Sequence, residues 1–203
     1  MIPKKIHYCW FGGRELPPLA EKCILSWKKF CPDYEIIRWD ESTFDVNKHP
    51  YTAEAYQAKK YAFVTDYVRL WCLYEYGGIY MDTDVEVLKS LDDFLIHTAF
   101  SGFETANIIP TGIMGSIKGG VWVKQELDYY ANKHFLNPDG TPDLTPNTKT
   151  ITGHLVSDGF ILNNLFQNHR DIVTMYPNDF FSPKSWKTKK GEINFKFPYN
   201  TSF

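Results

Sequence analysis

The sequence predicts an α/β protein whose central sheet carries an acidic motif at the end of one strand. Three observations lead there. The first forty residues read strand, helix, strand, a βαβ unit that implies parallel pairing. A long apolar helix then runs into Gly77-Gly78 and a short apolar strand, Ile79-Tyr80-Met81, which ends in Asp82-Thr83-Asp84. Helical and extended segments go on alternating as far as Tyr176, with no internal repeat and no Pro-, Gly- or Ser-rich linker, so the 203 residues are expected to form a single domain.

Each element has its own signal. Lys5 to Trp10 is a short apolar strand closed by Gly12-Gly13. Pro17-Pro18 open a helix in which Leu19, Cys23, Ile24 and Trp27 recur at helical spacing. Cys31-Pro32-Asp33 stops it, and Tyr34 to Trp39 is the second strand. Ala58 to Tyr76 reads as a helix striped by Val64, Tyr67, Val68 and Trp71, with Gly77 as its stop. Beyond the acidic motif, Val85 to Leu88 continues extended. Ala99 to Phe103 and Ile108 to Met114 read as strands, the second broken by Pro110 and Gly112. Gly120 to His134 reads as a helix, residues 137–147 as a loop, Thr152 to Asn168 as a helix and Ile172 to Tyr176 as a strand.

Composition excludes several classes. Hydrophobic residues at 43% and charged residues at 23% rule out disorder. A net charge of -2 gives no global pull toward nucleic acid. No stretch approaches the ~20 apolar residues of a membrane span. Met1 to His7 lacks the apolar core of a signal peptide, and none of the four cysteines forms a CxxC pair. Reduced thiols and a cytoplasmic protein are expected. Aromatics reach 17%, more than a core needs and suited to stacking on sugars or a base.

Asp82 and Asp84 are the sharpest chemical signal. Two carboxylates at a strand end can share Mg²⁺ or Mn²⁺, which takes one or two carboxylates together with phosphate oxygens. A solvated turn is the bland alternative. Gly77-Gly78 ahead of the strand would let a ligand approach the backbone closely. Asp66 and Arg69, spaced i, i+3, share a helix face beside apolar residues. They read either as a surface ion pair or as a half-buried acceptor and donor for sugar hydroxyls and phosphate. Trp10 is core or a stacking plate for a base; His7 is a core histidine. Lys184, Lys187, Lys189 and Lys190 form a solvated surface or a patch for anionic lipid. An EF-hand loop from Asp82 fails, because Val87 and Asp93 stand where Gly and Glu are needed. A haloacid-dehalogenase phosphatase lacks its second Asp pair on a Gly-rich loop.

Three ordered motifs together resemble the DXD-containing glycosyltransferases of family 32: Ile2 to Gly13, Ala62 to Leu70, and Tyr74 to Val85. That family includes capsular-polysaccharide and initiating mannosyl transferases and, more distantly, the glucosylating clostridial toxins. The resemblance covers most of residues 1–100 and continues weakly through Tyr176 to Pro183. It implies a GT-A fold, a mixed sheet flanked by helices, and metal-dependent, retaining transfer of a sugar from a UDP- or GDP-linked donor. The expected acceptor is a glycan or lipid-linked molecule in surface polysaccharide synthesis, with peripheral association at the inner face of the membrane. Carried over by position, Trp10 stacks on the base; Asp66 and Arg69 contact donor sugar and phosphate, with Tyr80 beside them. Asp82 contacts the ribose and supports the metal, Asp84 ligates it directly, and Asn47 lines the same pocket. Relatives commonly continue into a His-His-aromatic segment ending in Ser-Trp, which completes the metal site. The chain stops at Phe203, where that segment is expected to start, and Gly153-His154 stands in place of Gly-Pro. Weak metal affinity and an open cleft are therefore expected. A sugar- or nucleotide-binding module without turnover and a metal-dependent phosphotransferase are the alternatives.

Overall fold

The computed structural model describes residues 1–183. The basic stretch with Lys184, Lys187, Lys189 and Lys190 lies outside them. Seven strands form one mixed sheet in the order β2-β1-β3-β5-β4-β7-β6. The strands are β1 (Lys5–Cys9), β2 (Glu35–Trp39), β3 (Gly78–Met81), β4 (Ala99–Gly102), β5 (Ile113–Ser116), β6 (Gln167–His169) and β7 (Val173–Tyr176). β1 pairs parallel with β2 and β3, as the βαβ reading requires, while β5 lies antiparallel between β3 and β4. Helices α1 (Pro18–Phe30), α2 (Pro50–Gln57), α3 (Tyr61–Tyr76), α4 (Val121–Asp128), α5 (Asn147–Ser157) and α6 (Asn178–Phe181) complete the described chain.

Strand alternation divides the core into two clusters. Ile6, Tyr8, Ile79 and Met81 face α1 with Cys23, Ile24 and Trp27. Cys9, Tyr80, Met114 and Met175 face α3 and its neighbours α2, α4 and α5. Because α3 lies against β1, β3 and β5 and is covered by α2 and α4, it is buried nearly all round. Asp66 and Arg69 are carried inside with it.

Several boundaries differ from the sequence expectation, each for a local reason. The long helix begins at Tyr61, not Ala58. Ala58 caps a separate helix, α2, that Pro50 opens, and Lys59 turns the chain at φ +57°. Asp82 to Val85 form a turn closed by the Val85 N–H on the Asp82 carbonyl (3.1 Å), so Val85 to Leu88 is not a strand. The expected strand from Ile108 begins only at Ile113, because Arg69 takes the Thr111 carbonyl. α4 ends at Asp128; further on, the Glu54 carboxylate takes the Phe135 and Leu136 N–H groups and turns the chain. α5 ends at Ser157 because Gly159 adopts φ +87°, its N–H and that of Phe160 bonding to Val156 and Leu155 carbonyls. The rest of the helix expected to Asn168 is loop and β6.

Gly77 and Gly78 also do something other than expected. A Cβ on Gly77 would meet the Lys118 nitrogen at 2.6 Å, and one on Gly78 the Lys5 carbonyl at 2.8 Å. They let strands and loops pack at the N-terminal end of β3, opposite Asp82. His7 lies beneath them, fully buried, with its Nε2 on the Gly77 carbonyl (2.8 Å) and its Nδ1 accepting from the Trp39 indole (3.1 Å). It is the core histidine expected. All four cysteines are buried and free.

Candidate active site at the end of the central strand

The site grows out of the alternation of β3. Tyr80 faces α3, so Asp82, two residues on, falls on the same side above it. The Tyr80 hydroxyl donates to Asp82 Oδ1 (2.9 Å), and the Arg69 guanidinium lies over the Tyr80 ring at 4.6 Å. Arg69 Nη1 reaches the same Asp82 oxygen (3.2 Å) and the Thr111 carbonyl (2.7 Å) and hydroxyl (3.1 Å). Its Nε donates to the Thr65 carbonyl (3.2 Å), and its Nη2 to the Thr65 hydroxyl (3.1 Å), with Asp66 Oδ1 also 3.2 Å away. Five hydrogen bonds and an ion pair thus fix a side chain that is only 6% exposed. At most the N–H facing Asp66 is left for a ligand, so the geometry supports Arg69 as the residue that positions Asp82.

Two groups in this cluster are unfilled. Asp66 is buried, and among the described residues its carboxylate has only the Arg69 ion pair and no hydrogen-bond donor. Burial pushes it up to about 6, against the pull of Arg69 and with the help of Asp82. Asn147, at the start of α5, accepts from the Thr111 hydroxyl (3.0 Å), while its buried Nδ2 has no partner among the described residues. Buried polar atoms are normally paired; an unfilled acceptor and an unfilled donor flanking one arginine suit hydroxyl groups. Sequence reasoning reached Asp66, Arg69, Tyr80 and Asp82 but missed Thr65, Thr111 and Asn147. Thr111 and Asn147 sit in separate loop and helix-start segments, with only Pro110, Gly112 and Pro146 beside them as signals.

The remaining predicted residues stand apart from the cluster. Asp84 lies in the turn after Asp82, largely exposed. The protein mass around it and the neighbouring Asp82 charge raise its carboxyl above the ordinary range. Trp10 follows β1, level with the Asp82 end of β3 by the His7–Tyr80 register. It is half-buried, and its indole donates to the Arg14 carbonyl (2.7 Å) across the Gly12-Gly13 turn. Asn47 is exposed in a short 3-10 turn, its backbone N–H and amide both on Asp45 Oδ1. Among the described residues it makes no hydrogen bond to the Arg69 cluster.

Among the described residues, no three His, Cys, Asp or Glu side chains converge into a ready metal cage. A cation that takes most of its ligands from phosphate and water still fits. Among the described residues Asp82 Oδ2 has no hydrogen-bond donor, and it faces Gly112, where an added Cβ would lie 3.1 Å away. Asp84 has no ion pair among the described residues. Two neighbouring carboxylates of like charge favour a positive charge between them.

Residues 17–101 match the family model described as a glycosyltransferase sugar-binding region containing a DXD motif. The chain carries the DXD-type sugar-binding region of glycosyltransferases. It is 36% identical over 146 residues to inositol phosphoceramide mannosyltransferase 3 of Schizosaccharomyces pombe, covering 66% of this chain and 40% of that protein. It is 30% identical over 134 residues to a mannosyl phosphorylinositol ceramide synthase of Saccharomyces cerevisiae, covering 60% of this chain and 32% of that one. The chain thus spans less than half the length of these two relatives. Among solved structures, the PaToxG glycosyltransferase superposes with a TM-score of 0.54 at 18% identity, over 77% of this chain and 70% of that one. The fold of this sugar-binding region is the GT-A type, a mixed sheet flanked by helices, as the resemblance implied.

Proposed function

We propose that the chain is a metal-dependent, retaining glycosyltransferase that uses a UDP- or GDP-linked sugar. The observation that supports this most is the Asp66–Arg69–Asp82 cluster at the end of β3, where an open sheet presents ligands. Arg69 and Tyr80 hold Asp82 by one oxygen and leave the other toward the cleft. Asp66 offers an unfilled carboxylate, and Asn147 an unfilled amide, to the hydroxyls of the donor sugar. Trp10, at the same end of the sheet, would stack on a base once its indole swings clear of the Gly12-Gly13 turn. Asp82 and Asp84 would hold Mn²⁺ or Mg²⁺, which when bound neutralises the diphosphate as it leaves. Breaking the bond from the anomeric carbon to the diphosphate then leaves that carbon to the acceptor hydroxyl, whose proton passes to the departing phosphate or to solvent.

The names of the two fungal relatives favour a mannosyl donor and an inositol-phosphate lipid as acceptor. That sharpens the class of glycan or lipid-linked acceptors and favours a lipid over a polysaccharide. Work at a membrane face from the cytoplasmic side fits the same reading.

A panel of UDP- and GDP-sugars assayed for slow hydrolysis with Mn²⁺ tests the proposal. Release of free sugar and nucleoside diphosphate from one donor is expected. Binding with no turnover of any donor would favour a binding module, and release of inorganic phosphate without sugar a phosphotransferase.

A further inference from the structure

A second recess lies away from the acidic turn. An open cleft of about 470 Å³ runs between α4 and α5 and is lined at one side by Ile172. β4 and β7 run parallel to each other and opposite to β5, as β3 does. Ile172, just before β7, therefore lies at the N-terminal end of β3, and Asp82 at the other end. Along α5, Asn147 reaches the Arg69 cluster through Thr111. His154, in the cleft wall, comes seven residues later, about 10 Å further along the helix at 1.5 Å per residue.

The cleft wall holds a buried polar centre. Glu126 is 2% exposed; its Oε2 takes the His154 Nδ1 (2.8 Å), and its Oε1 takes no hydrogen bond among the described residues. Trp122, 1% exposed, brings its indole N–H near that carboxylate, yet Nε1 completes no hydrogen bond among the described residues. Buried polar atoms are normally paired. One hydroxyl answers both, because it accepts from an N–H and donates to a carboxylate at once. The Gln125 amide and the Ser157 hydroxyl share the same lining.

Charge narrows the ligand. Burial pushes the Glu126 carboxyl up, against the pull of His154, and the charge of Asp158 is met by His169 and Arg170. An anion would meet two carboxyl groups, and an amine would have to displace the partners they already hold. Trp122, Leu155 and Ile172 add apolar surface beside the polar groups. Apolar C–H faces edged with hydroxyls are what a sugar ring presents. The cleft volume falls within the roughly 300–1,000 Å³ of small-molecule sites.

We propose that the cleft between α4 and α5 is a second, non-catalytic binding site for a neutral sugar ring, whose hydroxyls Glu126, Trp122 and His154 hold. The inference goes beyond the transferase reading and stands if that reading fails.

Saturation-transfer NMR of the full chain with the methyl glycosides of mannose, glucose and galactose tests it. At least one should bind wild type equally with chelator and with UDP, GDP and Mg²⁺ present. Ser157 is exposed at the rim, so Ser157→Phe should plug the cleft, weaken that sugar at least about tenfold and keep the wild-type melting curve. Glu126→Gln should weaken it through the centre of the site. Asp82→Asn should bind the sugar as wild type does, which separates this inference from the donor site. No transfer to any of the three glycosides, or binding that Ser157→Phe leaves unchanged, would overturn the proposal. So would displacement by UDP or GDP with Mg²⁺, because the sugar would then lie in the donor site.

Discussion

Arg69 and Asp84 flank Asp82 in opposite ways, one inside the fold and one outside it. Burial opposes the charge of Arg69, and Asp82, Tyr80 and Asp66 more than offset it. Removing the guanidinium strands Asp66 and Asp82 without a counter-charge. Arg69→Met should therefore cost about 3–5 kcal/mol of stability, read from the urea midpoint; a change under about 1 kcal/mol would show that solvent screens the cluster. Asp84 is exposed and unpaired among the described residues, so Asp84→Asn should change stability by no more than about 0.5 kcal/mol. The same variant should lose Mn²⁺-dependent donor affinity, which calorimetry measures directly. At this scale the acidic motif and the i, i+3 spacing of Asp66 and Arg69 were legible, because both are local patterns. Thr111 and Asn147 were not, because Thr111 meets Arg69 across 42 residues and Asn147 meets Thr111 across 36.

Elements carry the next lesson. β1, β3 and the helix before β3 were readable because each has an apolar run and a hard stop. α5 ends at Ser157, short of the end of its weak helical pattern, because Gly159 turns the chain at φ +87°. The β1–β3 pair makes a pH prediction through His7. Burial lowers its pKa from 6.5 to about 4, against the hydrogen bond to the Gly77 carbonyl. The unfolded chain takes up this proton below about pH 6.5 and the folded chain only below about 4, so stability present above pH 6.5 is lost as pH falls through that window. The loss is about 3 kcal/mol at about 1.4 kcal/mol per pH unit. His7→Gln should lower stability at neutral pH yet flatten its dependence between pH 6.5 and 4. An unchanged slope would assign the acid sensitivity to the carboxylates.

The whole molecule combines a two-sided core with one functional edge. β1 and β3 point their C-terminal ends the same way, so the turn after Trp10 and the acidic turn after Met81 share an edge of the sheet, and α3 supplies the buried Asp66–Arg69 ion pair beneath it. The class of the fold and the position of that edge followed from three motifs in the first hundred residues. The antiparallel β5 and the order of the last strands did not, because nothing local distinguishes a strand that inserts beside β3 from one that adds at the border. The central claim is that this edge binds a nucleoside diphosphate through a cation held by Asp82 and Asp84. Calorimetric titration of UDP and of GDP into the protein, with Mn²⁺ and with chelator, tests it most directly. The account predicts that one of the two binds at least about tenfold more tightly with Mn²⁺, and that Asp82→Asn abolishes the difference. Equal affinity with and without metal, or a metal effect untouched by Asp82→Asn, would contradict it.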